Sequence, residues 1–531
     1  MGRALGESLP VSLSNALDGP VLPASALRRT LATLGQRPAV APGISTEHPE
    51  ALLAGANRAI TGYIERVGGA VRITASEEDL SKGKTLLTVS ASGDTPYGAI
   101  VELARRFSPR AAPPITKHPE ALRAYATALE LPLAAAPDLL RQAISLDSDF
   151  GEAWVSLIGS DASHNDRDAV VRDIGSARRG KLDNVNRALV DLEAARLQGD
   201  GPAIIAAMRE LATLVPADLS LMRSLAEIET RGGDFSGAAS AWMKVTASSP
   251  DDPLVWNSLG YARAYAGDYR GAVAALREYD QLRPKEANPR DSLGDVNYFF
   301  RKFKEAAADY MEAYQRQPGF EQGGDLYKAA WAKFQAGYKK DADEIFAQFR
   351  AVRAKSNAGA VSLLAGDWLF RTGRASEAFA LARTAASETQ SAPLRADLNA
   401  QLAIWDLLGN DRAQAAKDSA AVGARITNPS VFLARFASLP SASAIEWEMR
   451  ASSMFSPNLA NLRELGLGYA LVLDGKRAAA LPVWERIAKN AGATDFFAVA
   501  VLTRLRGEEL KHPLLPDPNN LNQFAGLLNK L

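Results

Sequence analysis

A 34-residue period runs through the middle of the chain and constrains its fold more than any single residue does. With Leu219, Pro253 and Ala287 as first positions of three repeats, the seventh positions are Leu225, Leu259 and Leu293. The same step links Ala238, Ala272 and Ala306, then Phe235, Tyr269 and Phe303, then Pro250, Pro284 and Pro318, with Pro216 extending the last series backward. Two periods upstream, Gly151 opens a repeat that puts Trp154 and Leu157 at its fourth and seventh positions. Self-similarity at such a period marks stacked supersecondary units, none of which can bury its apolar face alone. The spacing predicts two helices per repeat. Leu259-Gly260 lets the first pack closely on the second, Ala272 sits where they cross, Gly267-Asp268-Tyr269 turns the chain, and Pro284 stops the second helix.

Around this centre the pattern loosens but stays helical. Stretches 331–349, 364–384, 398–420 and 462–487 each read as a helix, a short turn and a second helix, and 119–149 and 152–208 as irregular pairs. Residues 115–510 are therefore expected to form one solenoid, with 219–252, 253–286 and 287–320 its most regular repeats and 511–531, containing Pro513-Leu514-Leu515-Pro516, a C-terminal capping segment. Before the tract Ala111-Ala112-Pro113-Pro114 the pattern is mixed, and 1–110 is expected to be a separate small α/β domain. There Ile60–Val67 runs into Gly68-Gly69 and then into the alternating Val71-Arg72-Ile73-Thr74-Ala75, a hairpin signature. Thr85–Val89 reads as a third strand, Tyr97–Phe107 as a closing amphipathic helix, and 2–17, 25–34 and 50–56 as further helices. The fold class is thus mainly α, an α-α superhelix preceded by a small α/β domain.

The pattern of Trp256, Leu259-Gly260, Ala272 and Pro284 resembles the tetratricopeptide repeat, most closely over 219–320. In that family the concave groove is lined by the second, fifth, ninth, twelfth and thirteenth positions of each repeat. The resemblance implies a partner-binding groove carrying Arg223, Glu227 and Arg231, then Asn257, Tyr261 and Tyr265, then Asp291, Asp295, Tyr298 and Phe299. Tyr261 and Tyr298 are expected to be exposed, whereas Tyr265 and Phe299 either face the groove or fill the seam between repeats. A basic clamp for a peptide C-terminus is not expected, because Asp291 and Asp295 would repel a carboxylate. The stretch Gly62–Gly69 with Val71–Ala75, and Ser81-Lys82-Gly83-Lys84-Thr85-Leu86 after it, resembles the TolB-like module of bacterial multidomain proteins over residues 3–108. That family opens with a strand absent here, so the chain is expected to be a fragment whose start lies upstream.

Composition excludes more chemistry than it suggests. The 531 residues contain no cysteine, which removes thiolate metal sites and cysteine nucleophiles and leaves both a cytosol and a periplasm open, the second being the expectation carried forward. Lys+Arg and Asp+Glu both number 61, so no basic excess points to nucleic acid. No apolar run is long enough to span a membrane. The four histidines, His48, His118, His164 and His512, show no metal-ligand spacing, and Gly83-Lys84-Thr85 lacks the upstream glycine of a phosphate loop, Glu78 standing in its place. No cofactor, metal or catalytic residue is expected. The expectation is a non-enzymatic scaffold that binds partner peptides or helices in the solenoid groove. Its alternative, implied by the family resemblance, is the sensory part of a longer bacterial signalling protein carrying a kinase, a nucleotide cyclase or a DNA-binding domain.

Overall fold

The computed structural model describes residues 9, 13, 21, 56–80, 82–109, 111, 116–131, 135–216, 218–356, 358–422, 460–518 and 525–531. Of the helices expected over 2–17, 25–34 and 50–56, only positions 9, 13 and 56 are among them; the rest, and the tract 112–114, lie outside the described residues. The chain divides into two compact bodies, one of residues 1–229 with 240–250 and the other of 230–239 with 251–531.

In the first body, Arg58–Val67 (β1), Ala70–Asp79 (β2) and Lys84–Gly93 (β3) form an antiparallel meander in the order β1-β2-β3. Gly68 (φ 58°) and Gly69 (φ 90°) make the two-residue turn between β1 and β2, both in the left-handed region that a tight hairpin of this twist requires. Val71, Ile73 and Ala75 of β2 pack on Ala99, Ile100 and Leu103 of the helix Pro96–Phe107 (α1), which starts where Thr95 accepts from the Gly98 amide at 3.1 Å. Hydroxyl pairs link β2 to β3, Thr74 with Ser90 at 2.8 Å and Ser76 with Thr88 at 2.9 Å.

Helices follow in series: Pro119–Glu130 (α2), Pro137–Leu146 (α3), Gly151–Ser163 (α4), Arg167–Ala177 (α5), Asn184–Gln198 (α6) and Gly201–Leu214 (α7), then Leu219–Gly232 (α8) and Phe235–Ser248 (α9), whose residues 230–239 belong to the second body. The stretch read as irregular over 152–208 is in fact two regular repeats. Its period is carried by the turn between the paired helices rather than by apolar positions. Asn165, Gly199, Gly233, Gly267 and Arg301, each 34 residues from the last, all have positive φ. The residue after each of the first four, Asp166, Asp200, Asp234 and Asp268, accepts a hydrogen bond from the amide three residues on and so caps the second helix.

Arg301 is the exception in that series, because a left-handed backbone costs a residue with a Cβ about 1–2 kcal/mol that glycine does not incur. Glycine or asparagine fills the equivalent place at Gly337, Gly373 and Asn410 further along. Asparagine visits this region readily through its short polar side chain; arginine has no such compensation.

The second body continues with Pro253–Tyr265 (α10), Tyr269–Leu282 (α11), Asn288–Phe299 (α12), Phe303–Arg316 (α13), Gly324–Gln335 (α14), Lys339–Ser356 (α15), Ala358–Arg371 (α16), Ala375–Glu388 (α17), Ala392–Leu408 (α18), Arg412–Ala420 (α19), Ala460–Leu473 (α20), Arg477–Ala491 (α21) and Phe496–Leu505 (α22). Neighbouring helices pack pairwise, as in tetratricopeptide-type hairpins. The crossing-point alanine recurs throughout: Ala272, Ala306, Ala342, Ala378 and Ala415 are all fully buried. Its step is 34 residues, then 36, 36 and 37. The 3₁₀ turn Phe320–Gln322 and Gly323 (φ 79°) lie where the step first lengthens, and this ends the 34-residue phase without ending the architecture.

Helix contact in these repeats leaves no room for a side chain at the small position. A Cβ at Gly294 would stand 2.5 Å from the Tyr310 ring, and one at Gly260 2.6 Å from Leu276. Gly294→Ala is therefore expected to destabilise the protein by about 1–3 kcal/mol, read as a lowered urea midpoint with an unchanged slope. An unchanged midpoint would mean that α12 and α13 separate freely.

Candidate functional site

The thirteenth positions of three consecutive repeats, Arg231, Tyr265 and Phe299, lie at or near the ends of α8, α10 and α12. All three belong to the second body and are in contact with its C-terminal part. The Ala493 amide donates to the Arg231 carbonyl at 2.9 Å. Phe496, just after the cap Asp495, sets its ring 4.9 Å from that of Tyr265 and 5.9 Å from that of Phe299. His512 stacks flat on Phe299 with ring centres 3.8 Å apart and planes at 9°, and its Nδ1 donates to the Phe299 carbonyl at 3.1 Å.

Between the end of α22 and residue 518 the chain has no helix or strand. It runs as an extended segment over the repeats. Arg301 donates through Nη2 to the Leu510 carbonyl at 3.1 Å. Leu515 packs against the cluster of Tyr298, Leu326, Tyr327 and Trp331. Residues 510 and 512–515 are half-buried, and Pro516 and Pro518 are buried. Beyond it, Leu527 is fully buried among Ile404, Leu407, Tyr469 and Trp484. Burial pushes the His512 imidazole below its ordinary pKa, and the charges of Arg301 and Lys511 act in the same direction against the Phe299 carbonyl, so the ring sits neutral on Phe299.

Behind this surface is a buried polar cluster. Lys328 of α14 donates to both oxygens of Asp291, at 2.7 and 2.9 Å, and to Asp295 at 3.3 Å. Tyr261 and Tyr310 donate to Asp295 at 2.9 and 2.8 Å. Burial opposes the Lys328 charge, but Asp295 and Asp291 outweigh it and hold its pKa above the ordinary value. Asp325 has no exposure, and among the described residues no group donates a hydrogen bond to its carboxyl oxygens, so the carboxyl can only donate. Burial, followed by the charge of Asp291 and a hydrogen bond to it, pushes Asp325 up from 3.8 to about 9. It therefore carries a proton at neutral pH.

These positions correct part of the sequence-based groove. Tyr298, expected to be exposed, is 3% exposed and packs edge-on to Phe303 at 5.1 Å. Asp291 and Asp295 are buried at 5% and 7% exposure because Lys328, one repeat on, neutralises them inside the wall. Their charge is therefore spent on a lysine and does not face an incoming carboxylate. Tyr261 is half-buried with its hydroxyl committed to Asp295. Phe299 is 6% exposed beneath His512, and Tyr265 lies among Phe235, Phe299 and Phe496. Arg223 and Asn257 are half-buried, and Glu227 and Arg231 exposed.

Sequence reasoning missed Lys328, Tyr310, Asp325 and Arg301. For Lys328 the signal was present: two aspartates four residues apart share one helix face and call for a cation. Arg301 is legible once the turn series is aligned, as the one long charged side chain at a position otherwise given to glycine or asparagine.

Among the described residues no helix is long and apolar enough to cross a membrane. No family model matches the chain, and no curated protein matches it. Solved structures that resemble it include the MamA protein, 18% identical over 33% of this chain and 94% of that one with a TM-score of 0.28. Another is the C-terminal part of a TPR repeat-containing protein from Cytophaga hutchinsonii, 16% identical over 44% and 95% of the two chains with a TM-score of 0.33. A third is MamA from residue 41 onward from Desulfovibrio magneticus RS-1, 16% identical over 32% and 95% with a TM-score of 0.26.

Proposed function

We propose that the chain is a non-enzymatic protein-interaction scaffold that takes an extended segment of a partner along the first helices of its repeats. One observation carries this reading. The surface of Tyr265, Phe299 and Arg301 already accommodates irregular backbone, by ring stacking on His512 and by an arginine hydrogen bond to the Leu510 carbonyl. Aromatic platforms with a charged donor to main chain suit peptide recognition, since they give contact area at low entropic cost and grip backbone whatever the side chain. Asn257, at the fifth position of its repeat, is assigned to the partner surface of the second body, and Arg223 and Glu227, at the fifth and ninth positions of theirs, to that of the first. The sheet of β1–β3 with α1 is read as a TolB-like module.

A photo-crosslinking residue at Glu227, exposed on the first helix of its repeat, is expected to trap a discrete partner in cells of the source organism. The same residue at Glu278, exposed on the second helix α11, is expected to trap none. Equal labelling at both positions would remove the groove from the account.

A further inference from the structure

The C-terminal segment 508–518 occupies the surface just assigned to partners. It is attached at both ends, by α22 before it and by the buried Leu527 after it. Its contacts include the Arg301 hydrogen bond to the Leu510 carbonyl, His512 against the Phe299 and Phe300 rings, three half-buried leucines and two buried prolines. A segment whose role was only to complete the core would bury its leucines as Leu527 is buried. Instead Leu510, Leu514 and Leu515 all remain partly accessible.

Arg301 supplies a second, independent observation. Its backbone occupies the left-handed turn position that is glycine at Gly267 and Gly337, and strain of that kind persists where the side chain is needed. The Arg301 guanidinium meets the Leu510 carbonyl. A surface depression beside that contact is lined by Arg301, Arg504, Glu509, Leu510 and Leu528, so an acidic residue of the segment shares it with two arginines.

We propose that residues 508–518 are a resident ligand that a partner protein displaces, and that the partner presents an extended peptide of the same chemistry. That peptide has an acidic residue toward Arg301 and Arg504, a flat ring for Phe299, and an aliphatic residue flanked by prolines for the Tyr298 and Trp331 cluster. This rests on the scaffold reading and adds to it a gate. A tethered segment competes at an effective concentration on the order of millimolar, so external peptides bind only when they outcompete it or when it is released.

The test uses the full chain and a fluorescent peptide of residues 508–518. His512→Ala with Leu515→Ser weakens the resident segment, and this variant is expected to bind the peptide at least ten-fold more tightly than wild type. Adding Arg301→Gly should return affinity to the wild-type level without lowering the melting temperature, because glycine relieves the turn while the guanidinium that donates to the main-chain carbonyl is lost. A merely structural arginine would show the opposite, a lower melting temperature and unchanged affinity. Equal peptide affinity in wild type and in the segment variant, or none in either with melting unchanged, overturns the proposal. If partner trapping at Glu227 persists in that case, the scaffold reading stands without the gate; if it is also absent, both fall. Wild type eluting at twice the mass of the segment variant would make the occupant a second copy of this chain, and overturns the displaced-partner form.

Discussion

Lys328→Met is expected to lower stability by about 3–5 kcal/mol, the largest loss of any single substitution considered for this protein. Methionine replaces the stem of the lysine but not its charge, leaving Asp291 and Asp295 buried without their cation. Asp295 would keep the Tyr261 and Tyr310 hydroxyls, while Asp291 would lose both contacts to the ammonium. Chemical denaturation at pH 7 should show the drop, and it should shrink as the pH is lowered and Asp295, whose pKa burial already raises, takes up a proton. A loss below about 1 kcal/mol at pH 7 would mean that water reaches the cluster and solvates the aspartates. Asp291→Asn in the Lys328→Met background is expected to recover part of the loss, because the amide is neutral and needs no counter-charge.

Asp325→Asn is expected to act in the other direction. A carboxyl raised to about 9 in the folded chain and ordinary at 3.8 when unfolded binds a proton on folding throughout the interval between those values. Folding stability therefore falls as pH rises across that interval, by about 1.4 kcal/mol per pH unit for one fully linked proton. Asparagine has no proton to take up. The variant should match wild type near pH 4 and become increasingly the more stable of the two toward pH 8, by a few kcal/mol. Other titrating groups are common to both chains and cancel in the difference. A stability difference that does not change between pH 5 and pH 8 would place Asp325 in contact with solvent.

Both substitutions bear on residues that the sequence shows poorly, for a physical reason. Repeat periodicity reports the apolar contacts that every unit must make, so Leu225, Leu259 and Leu293 with Ala238, Ala272 and Ala306 were legible, and with them the paired helices and their stacking. The Gly68-Gly69 hairpin was legible because few other dipeptides satisfy its backbone. What lines the groove was not, since groove positions differ from repeat to repeat and their burial depends on residues far along the chain. Tyr298 has the spacing of an exposed groove residue, but Leu515 packs against its cluster from more than 200 residues away. Asp291 and Asp295 likewise have the spacing of a charged surface until Lys328 is placed beside them. Periodicity also fades after residue 320 because the step lengthens to 36 and 37, which breaks register in the sequence while Ala342, Ala378 and Ala415 keep the same place in the packing.

The contact between Arg301 and Leu510 spans 209 residues, whereas the helices that present Arg301 are complete within their own repeats. On a ribosome, roughly 5–20 residues are added each second, so the α12 surface is finished for about 10–40 s before the segment that lies on it has been synthesised. During that interval the nascent chain offers Phe299 and Arg301 uncovered, and under the proposed displacement a partner made nearby would meet no competitor. Assembly on the polysome and assembly from the finished protein would then differ in yield, with the first independent of how tightly the tail later binds.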